Sequence, residues 1–307
     1  MQKIKFKSAG LLRWLIALLL LSWVGYYLDL QAIFERIQGF DPDYGVAMLL
    51  LNLSVLLLMA LRWKIIAGCM GVTAPYHLYL RGVWLGAFSA QFGPAIIFSE
   101  LARYKVLQGY AGRWQLLSSQ LLDRLSGLFA LFVIVILLSP WSLEKLGQSA
   151  LPRILAPLFI MLVLLLLLFC IYQYRKITGK GQALVFLALK PFTAAKHFFL
   201  SLLIQTLLVL CFALAVLGLG LGQQSQFFML LMPLVLFSLS LLPLSVADWG
   251  SRETIALLLL SASGLSAETI IAASLIYGAM NAITALLGVF FLLNNPKKSL
   301  IIQNKDF

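Results

Sequence analysis

The sequence predicts an all-α polytopic membrane protein with six full spans and two broken pairs of half-helices. Of its 307 residues, 62% are hydrophobic and 11% are charged, whereas soluble domains have about 45–50% apolar and about 25% charged residues. The apolar runs are long and rich in leucine, as in Leu158–Cys170, and lack the alternation that a membrane β-barrel needs. Composition thereby excludes a soluble enzyme, a disordered chain and a secreted disulfide scaffold.

The net charge is +12, which in a membrane protein indicates cytoplasmic loops rich in Lys and Arg rather than binding to nucleic acid. Three cysteines, Cys69, Cys170 and Cys211, lie in or beside apolar segments and form no Cys-x-x-Cys pair. Neither a metal site nor a redox motif is therefore indicated. We expect no cofactor, no bound metal and no nucleic-acid partner.

Six segments are long enough to span a bilayer, which takes about 20 mostly apolar residues. The first follows a basic N-terminus and lacks a small-x-small cleavage site, so we interpret it as an uncleaved helix rather than a signal peptide. The six segments are roughly 10–27, 44–61, 116–138, 153–173, 195–220 and 266–293.

Two further apolar regions, about 78–107 and 227–262, are interrupted by Gly93-Pro94 and by the stretch from Pro243 to Gly250. A proline inside a helix removes a backbone hydrogen bond and clashes with the preceding turn. Backbone freed at membrane depth is tolerated only where protein or water covers it. We therefore expect each region to be a re-entrant pair of half-helices that enters and leaves the membrane on the same side.

Charge indicates the orientation of this arrangement. With two re-entrant pairs, both termini are cytoplasmic and so is the loop 174–196, which carries five basic residues. This satisfies the positive-inside rule. If 78–97 were a plain span instead, the same loop would face outward, so the re-entrant arrangement is favoured.

The two broken regions also resemble each other. They share a Phe-Ser pair, a proline and an arginine at the same spacing: Phe88-Ser89, Pro94 and Arg103 in the first, Phe237-Ser238, Pro243 and Arg252 in the second. Because the regions enter from opposite sides, this is the pattern of an inverted-topology repeat, in which interrupted segments mark a transporter's binding site. We expect one transmembrane domain over 1–307, with repeat 1 at about 10–138 and repeat 2 at about 153–293.

Charged residues within membrane segments are costly and suggest function. Arginine suits phosphate because its planar fork donates two parallel hydrogen bonds, and half-helix N-termini could add backbone donors. We expect Arg103 and Arg252 to bind the phosphate of an anionic lipid head group, each with a nearby carboxylate when the site is empty. The candidate substrate-binding residues lie in three charged stretches: Glu100 and Arg103; Asp123 and Arg124; Asp248, Trp249, Arg252 and Glu253.

Several of these charged residues also have a purely structural interpretation. Asp123-Arg124 could cap the helix that they begin, and Asp248 could be the N-cap of the helix after it. Glu100 and Arg103 are three residues apart on a helix and could pair with each other. Asp41-Pro42-Asp43 looks like an Asp-x-Asp metal motif, but we interpret it as a helix cap with Pro42 in the first turn.

The stretch from Leu242 to Glu253, with Leu-Pro-Leu-Ser and Trp-Gly-Ser-Arg-Glu, resembles the Leu-Pro-x-Ser-x-Gly-Gly-Trp-Gly-x-Arg-Glu signature of the lysylphosphatidylglycerol synthase transmembrane-domain, or flippase-like, family. Asp123-Arg124-x-x-Gly127 resembles that family's Glu-Arg-x-x-Gly, and Arg62-Trp63 fits as well. The resemblance spans roughly 10–295. Ala247-Asp248 departs from it by standing where the family has Gly-Gly.

This resemblance implies a membrane domain that moves or presents phospholipids or polyprenyl-phosphate-linked lipids, without the aminoacyl-transferase domain of longer members. We expect a flippase-like transporter of a bacterial-type inner membrane, not an enzyme, whose partners are membrane lipids. A membrane glycosyltransferase with a lipid-phosphate donor, using Asp41 and Asp43 as metal or base residues, is one alternative. An accessory subunit of a lipid or cell-envelope pathway is another. The oligomeric state is left open, a homodimer included.

The topology can be tested with a single cysteine at Gln182, placed in a background that lacks the three native cysteines. Because the loop 174–196 is expected in the cytoplasm, an impermeant thiol reagent should label this cysteine in permeabilised cells and not in intact cells. Strong labelling of intact cells would rule out the re-entrant arrangement.

Overall fold

The computed structural model describes residues 29–93, 95–145, 191–222, 231–233, 235–236, 249–260 and 265–290. These residues form helices and the turns between them, with no strand among them. The expected spans 10–27 and 153–173 lie outside the described residues, as do the two prolines Pro94 and Pro243 and the candidate residue Asp248.

Eight helices have defined bounds within the described part of the chain, and we number them in chain order. They are α1 (Leu30–Gln38), α2 (Pro42–Cys69), α3 (Tyr76–Ala90), α4 (Ala95–Leu107), α5 (Arg113–Lys145), α6 (Pro191–Leu217), α7 (Ser251–Leu260) and α8 (Ala267–Leu286).

Four of these helices are long and apolar enough to cross a membrane. They match four of the six expected spans, so an all-helical integral membrane protein is confirmed for the described residues. The count of six spans and the cytoplasmic termini remain predictions. The four are Pro42–Cys69 in α2, Arg113–Leu138 in α5, Ala195–Leu217 in α6 and Ala267–Leu286 in α8.

Helix α2 packs against four other helices, α3, α5, α6 and α8. It begins at Pro42, and the carboxylate of Asp41 accepts a hydrogen bond from the backbone N–H of Asp43 at 3.0 Å. The capping interpretation of Asp41-Pro42-Asp43 is therefore confirmed. The helix continues to Cys69, past the end at residue 61 that we expected, so Arg62 and Trp63 belong to it.

Helices α3 and α4 form an antiparallel hairpin whose turn starts at Gln91, where the sequence placed the first break. Two glycines of α3 allow the close approach. A Cβ on Gly86 would lie 3.2 Å from the carbonyl oxygen of Ser99 in α4, and one on Gly82 would lie 2.9 Å from the Trp63 ring of α2. The signal that we missed is the Gly-x-x-x-Gly spacing, which is typical of closely packed membrane helices. Whether the hairpin enters and leaves on one side remains a prediction.

The second broken region differs from the first around its arginine. Arg103 lies well inside the continuous helix α4, whereas Arg252 is the second residue of α7. Directly before α7, Gly250 has a φ of +81°, a left-handed conformation that glycine adopts without steric cost. Both arginines are helical, but they occupy different positions in their helices.

The hairpin's dependence on Gly86 can be tested with Gly86→Leu. The new side chain would meet the α4 backbone, and such overpacking costs typically about 1–3 kcal/mol. We expect the midpoint of thermal unfolding in detergent to fall by several degrees. Gly68→Leu is the matched control, since a Cβ on Gly68 meets no atom within 4 Å. Equal unfolding midpoints for the two variants would contradict the close packing of α3 on α4.

Candidate functional site

Five charged residues from three helices form one cluster in the N-terminal half of the protein. Helix α2 contributes Arg62, α4 contributes Glu100 and Arg103, and α5 contributes Asp123 and Arg124. We call this group the N-terminal charge cluster. It unites four of the expected site residues and adds Arg62.

Asp123 is the centre of the cluster. Its Oδ1 accepts a hydrogen bond from Arg62 Nε at 2.8 Å, and its Oδ2 accepts one from Arg103 Nη2 at 2.8 Å. The Asp123 side chain is 1% exposed, so its charge is stabilised by these two cations rather than by water. The capping alternative for Asp123-Arg124 is wrong, because α5 begins at Arg113 and both residues lie inside it.

Arg103 contacts an aromatic ring and two carboxylates. Its guanidinium carbon lies 4.1 Å from the centroid of the Trp63 ring, a cation–π contact, and its Nη1 donates to Glu100 Oε1 at 3.3 Å. Trp63 is itself fixed by a hydrogen bond from its Nε1 to Ser119 Oγ at 3.1 Å. Arg103 is therefore a buried residue of the cluster, and the expected pairing of Glu100 with Arg103 is present.

Arg124 is the arginine of the cluster that reaches the surface. Its side chain is 37% exposed, against 5% for Arg62 and 6% for Arg103. Arg124 Nε donates to Glu100 Oε1, and its Nη2 donates to Ser99 Oγ at 2.8 Å. Three arginines thus share two carboxylates, which leaves a net charge of +1.

Arg62 was missed as a site residue because we ended the span at residue 61 and so placed it in a loop. Its Nη1 donates to Ser201 Oγ of α6 at 3.4 Å, which brings a fourth helix to the cluster. A Cβ on Gly127 would lie 3.1 Å from Arg62 Nη1, so a glycine in α5 makes room for this guanidinium. The signal was an arginine followed by apolar residues that continue the helix to Cys69.

A second charge pair lies between α7 and α8. Arg252 donates from Nε and Nη2 to Glu253 Oε1 at 3.2 and 3.1 Å. Ser274 Oγ donates to the same oxygen at 2.8 Å, and the backbone N–H of Gly250 donates to Glu253 Oε2 at 2.7 Å. Because the Glu253 side chain is 0% exposed and both its oxygens have partners, the pair is neutral and enclosed.

Aromatic rings and a glycine close around Arg252. Its guanidinium carbon lies 5.1 Å from the Trp249 ring centroid and 5.7 Å from that of Tyr277. A Cβ on Gly278 would collide with Arg252 Nη2. Arg252 is 5% exposed, and its Nε and Nη2 are hydrogen bonded to Glu253 and Ser274, so the side chain supports α7 against α8.

The candidate residues thus fall into two groups. The structure brings together Glu100, Arg103, Asp123 and Arg124, and separately Trp249, Arg252 and Glu253; no hydrogen bond or ion pair joins the two groups among the described residues. Each expected phosphate-binding arginine does have a carboxylate beside it. In the described part of the chain, no three His, Cys, Asp or Glu side chains come together in a way that could hold a metal ion.

Comparison with models of known protein families identifies a matching family. The family model described as the lysylphosphatidylglycerol synthase TM region matches residues 10–288. Both groups of charged residues lie within this match. No curated protein and no solved structure matches the chain.

The role of Asp123 can be tested with Asp123→Asn. This change leaves Arg62 and Arg103 buried without their shared anion, and breaking a buried ion pair costs about 3–5 kcal/mol. We expect the yield of folded protein in detergent and the midpoint of thermal unfolding to fall sharply.

Asp43→Asn is the control for this experiment, since Asp43 is an exposed carboxylate in the first turn of α2. Loss of its interaction with the helix dipole costs at most about 1 kcal/mol. An Asp123→Asn protein that is as stable as the Asp43→Asn protein would refute the central place of Asp123.

Proposed function

Since the chain belongs to the family of the lysylphosphatidylglycerol synthase transmembrane region, we propose that it is a lipid flippase-like transporter. The cargo is a phospholipid or a polyprenyl-phosphate-linked lipid, which the protein moves or presents across a bacterial-type inner membrane. The family is a membrane domain of lipid-related proteins, which supports a lipid-related role for this chain. The more specific proposal, that the protein transports a lipid by binding its phosphate, depends on the N-terminal charge cluster.

The observation that carries the proposal is the unbalanced charge of this cluster. Three arginines share two carboxylates among apolar helices, and an excess cation in such surroundings strongly favours an anion. The excess is accessible through Arg124, whose Nη1 makes no hydrogen bond within the described residues. A lipid phosphate supplies the anion and has oxygens that suit the arginine fork.

Within this proposal the arginines have different roles. Arg124 contacts the phosphate through its Nη1, while its Nη2 stays hydrogen bonded to Ser99 Oγ at 2.8 Å. Arg103 and Arg62 supply positive potential and hold Asp123 in place without contacting the ligand. Arg252, which we expected to bind the phosphate together with Arg103, is instead assigned to the packing of α7 on α8.

We propose that the protein is not an enzyme. Two experiments distinguish a transporter from the two alternatives, an accessory subunit and a glycosyltransferase. Scrambling of a labelled phospholipid in proteoliposomes is expected of a transporter and not of an accessory subunit. Glycosyl transfer by the purified protein is expected of a transferase alone. The transferase alternative has little support from its expected aspartates, because Asp41 caps α2 and its carboxylate accepts from the backbone of Asp43.

The phosphate contact can be tested with Arg124→Gln in proteoliposomes. The change removes the accessible charge while leaving the buried Arg62–Asp123–Arg103 contacts intact. A hydrogen bond to a charged group is worth about 1.5–3 kcal/mol, so we expect lipid binding, and scrambling with it, to fall at least about tenfold. The midpoint of thermal unfolding should change little.

Two matched variants control this experiment. Arg113→Gln removes an exposed arginine from the start of the same helix and should leave lipid binding unchanged. Arg252→Gln should lower the yield of folded protein, because it leaves the carboxylate of Glu253 buried with fewer partners. If Arg124→Gln binds lipid as the unaltered protein does, Arg124 is not the phosphate contact.

A further inference from the structure

Three buried polar atoms of the region around Arg124 have no hydrogen-bond partner within the described residues. They are Glu100 Oε2, Gln120 Oε1 and Arg103 Nε. A buried polar atom without a partner is destabilising and uncommon in native proteins. Two of the three are acceptors, and both belong to residues that adjoin the proposed phosphate contact.

Gln120 shares one face of α5 with Arg124, since residues four apart on a helix are neighbours. It is 2% exposed, and its Nε2 donates to the backbone carbonyl of Glu100 at 3.3 Å. The orientation of the amide is therefore determined, because an oxygen facing that carbonyl would repel it. Gln120 Oε1 is left as a buried acceptor beside α4.

Glu100 offers the second acceptor. Its Oε1 accepts from both Arg103 and Arg124, while its Oε2 has no partner in the part of the chain that the structure describes. A phosphate group cannot satisfy either oxygen, because it is itself an acceptor. A ligand that completes this region must carry N–H or O–H hydrogens close to its phosphate.

We propose that Glu100 and Gln120 form a hydrogen-bond-accepting subsite beside Arg124. It selects lipids whose phosphate-linked head group carries hydroxyl or ammonium hydrogens. Head groups that end in a methyl ester or a quaternary ammonium have no such hydrogens and leave both oxygens unsatisfied. This inference rests on the proposed phosphate binding at Arg124 and adds a preference between lipids of equal charge.

The test uses the purified full chain in detergent and two pairs of short-chain lipids. Phosphatidylglycerol and phosphatidylmethanol carry the same charge, and only the former has head-group hydroxyls. Phosphatidylethanolamine and phosphatidylcholine are both zwitterions, and only the former has ammonium hydrogens. We expect the donor-bearing member of at least one pair to bind about tenfold more tightly than its partner, which is the effect of one to two hydrogen bonds. The pair that shows the difference identifies the donor as hydroxyl or ammonium.

Gln120→Leu removes one acceptor at nearly constant volume. It should weaken binding of the donor-bearing lipid at least about threefold and leave binding of its matched partner unchanged. Gln205→Leu is the control, because Gln205 Nε2 makes the same kind of bond to the backbone carbonyl of Gly127 at 3.2 Å. Gln205 makes no hydrogen bond to Glu100 or Arg124. The Gln205→Leu variant should therefore have the same lipid preference as the unaltered protein.

The outcomes separate this inference from the proposed function. If the unaltered protein binds both members of each pair equally well, the subsite is overturned and phosphate binding stands. If it binds none of the four lipids, a phospholipid cargo is ruled out and the inference fails with it. Where Gln120→Leu does not fold, Gln120→Met takes its place, and an unchanged preference in that variant overturns the assignment of Gln120.

Discussion

The contact of Asp123 with two arginines is the interaction on which the N-terminal half of the structure depends. Its two oxygens bind Arg62 of α2 and Arg103 of α4, each at 2.8 Å, while Asp123 itself belongs to α5. Three charges this deeply buried are tolerated because each is close to an opposite charge and hydrogen bonded to it. The same carboxylate therefore determines how the three helices meet and where the cluster's remaining charge is found.

That remaining charge distinguishes the two groups of buried ions. In the C-terminal pair, Glu253 matches Arg252 charge for charge, and both carboxylate oxygens have donors. In the N-terminal cluster, Glu100 is shared by Arg103 and Arg124, so one positive charge has no matching carboxylate among the described residues. Within the same part of the chain, the C-terminal pair is balanced without a ligand. We propose that an anion balances the N-terminal charge cluster, and for this reason we place the lipid phosphate there.

Glycines make both arrangements sterically possible. Each buried arginine lies against one: a Cβ on Gly127 would crowd Arg62, and one on Gly278 would collide with Arg252. Gly86 lets α4 approach α3 closely beside Arg103, since a Cβ at this position would lie 3.2 Å from the carbonyl oxygen of Ser99. A buried guanidinium needs room beside its carboxylate partner, and a residue without a side chain gives that room where the helix backbones are close.

The sequence by itself determined the class of protein, because long apolar segments with few charged residues are typical of helices that span a membrane. It also located the break after α3, the cap at Asp41 and most of the residues that cluster around Asp123. It did not determine which charges pair between helices. Asp123 binds Arg62 and Arg103, which are distant in the sequence and meet only because α2, α4 and α5 pack together. Tertiary structure alone decided that Arg103 is enclosed, that Arg124 is accessible and that Arg252 is neutralised, because burial and ion pairing depend on helix packing rather than on spacing along the chain.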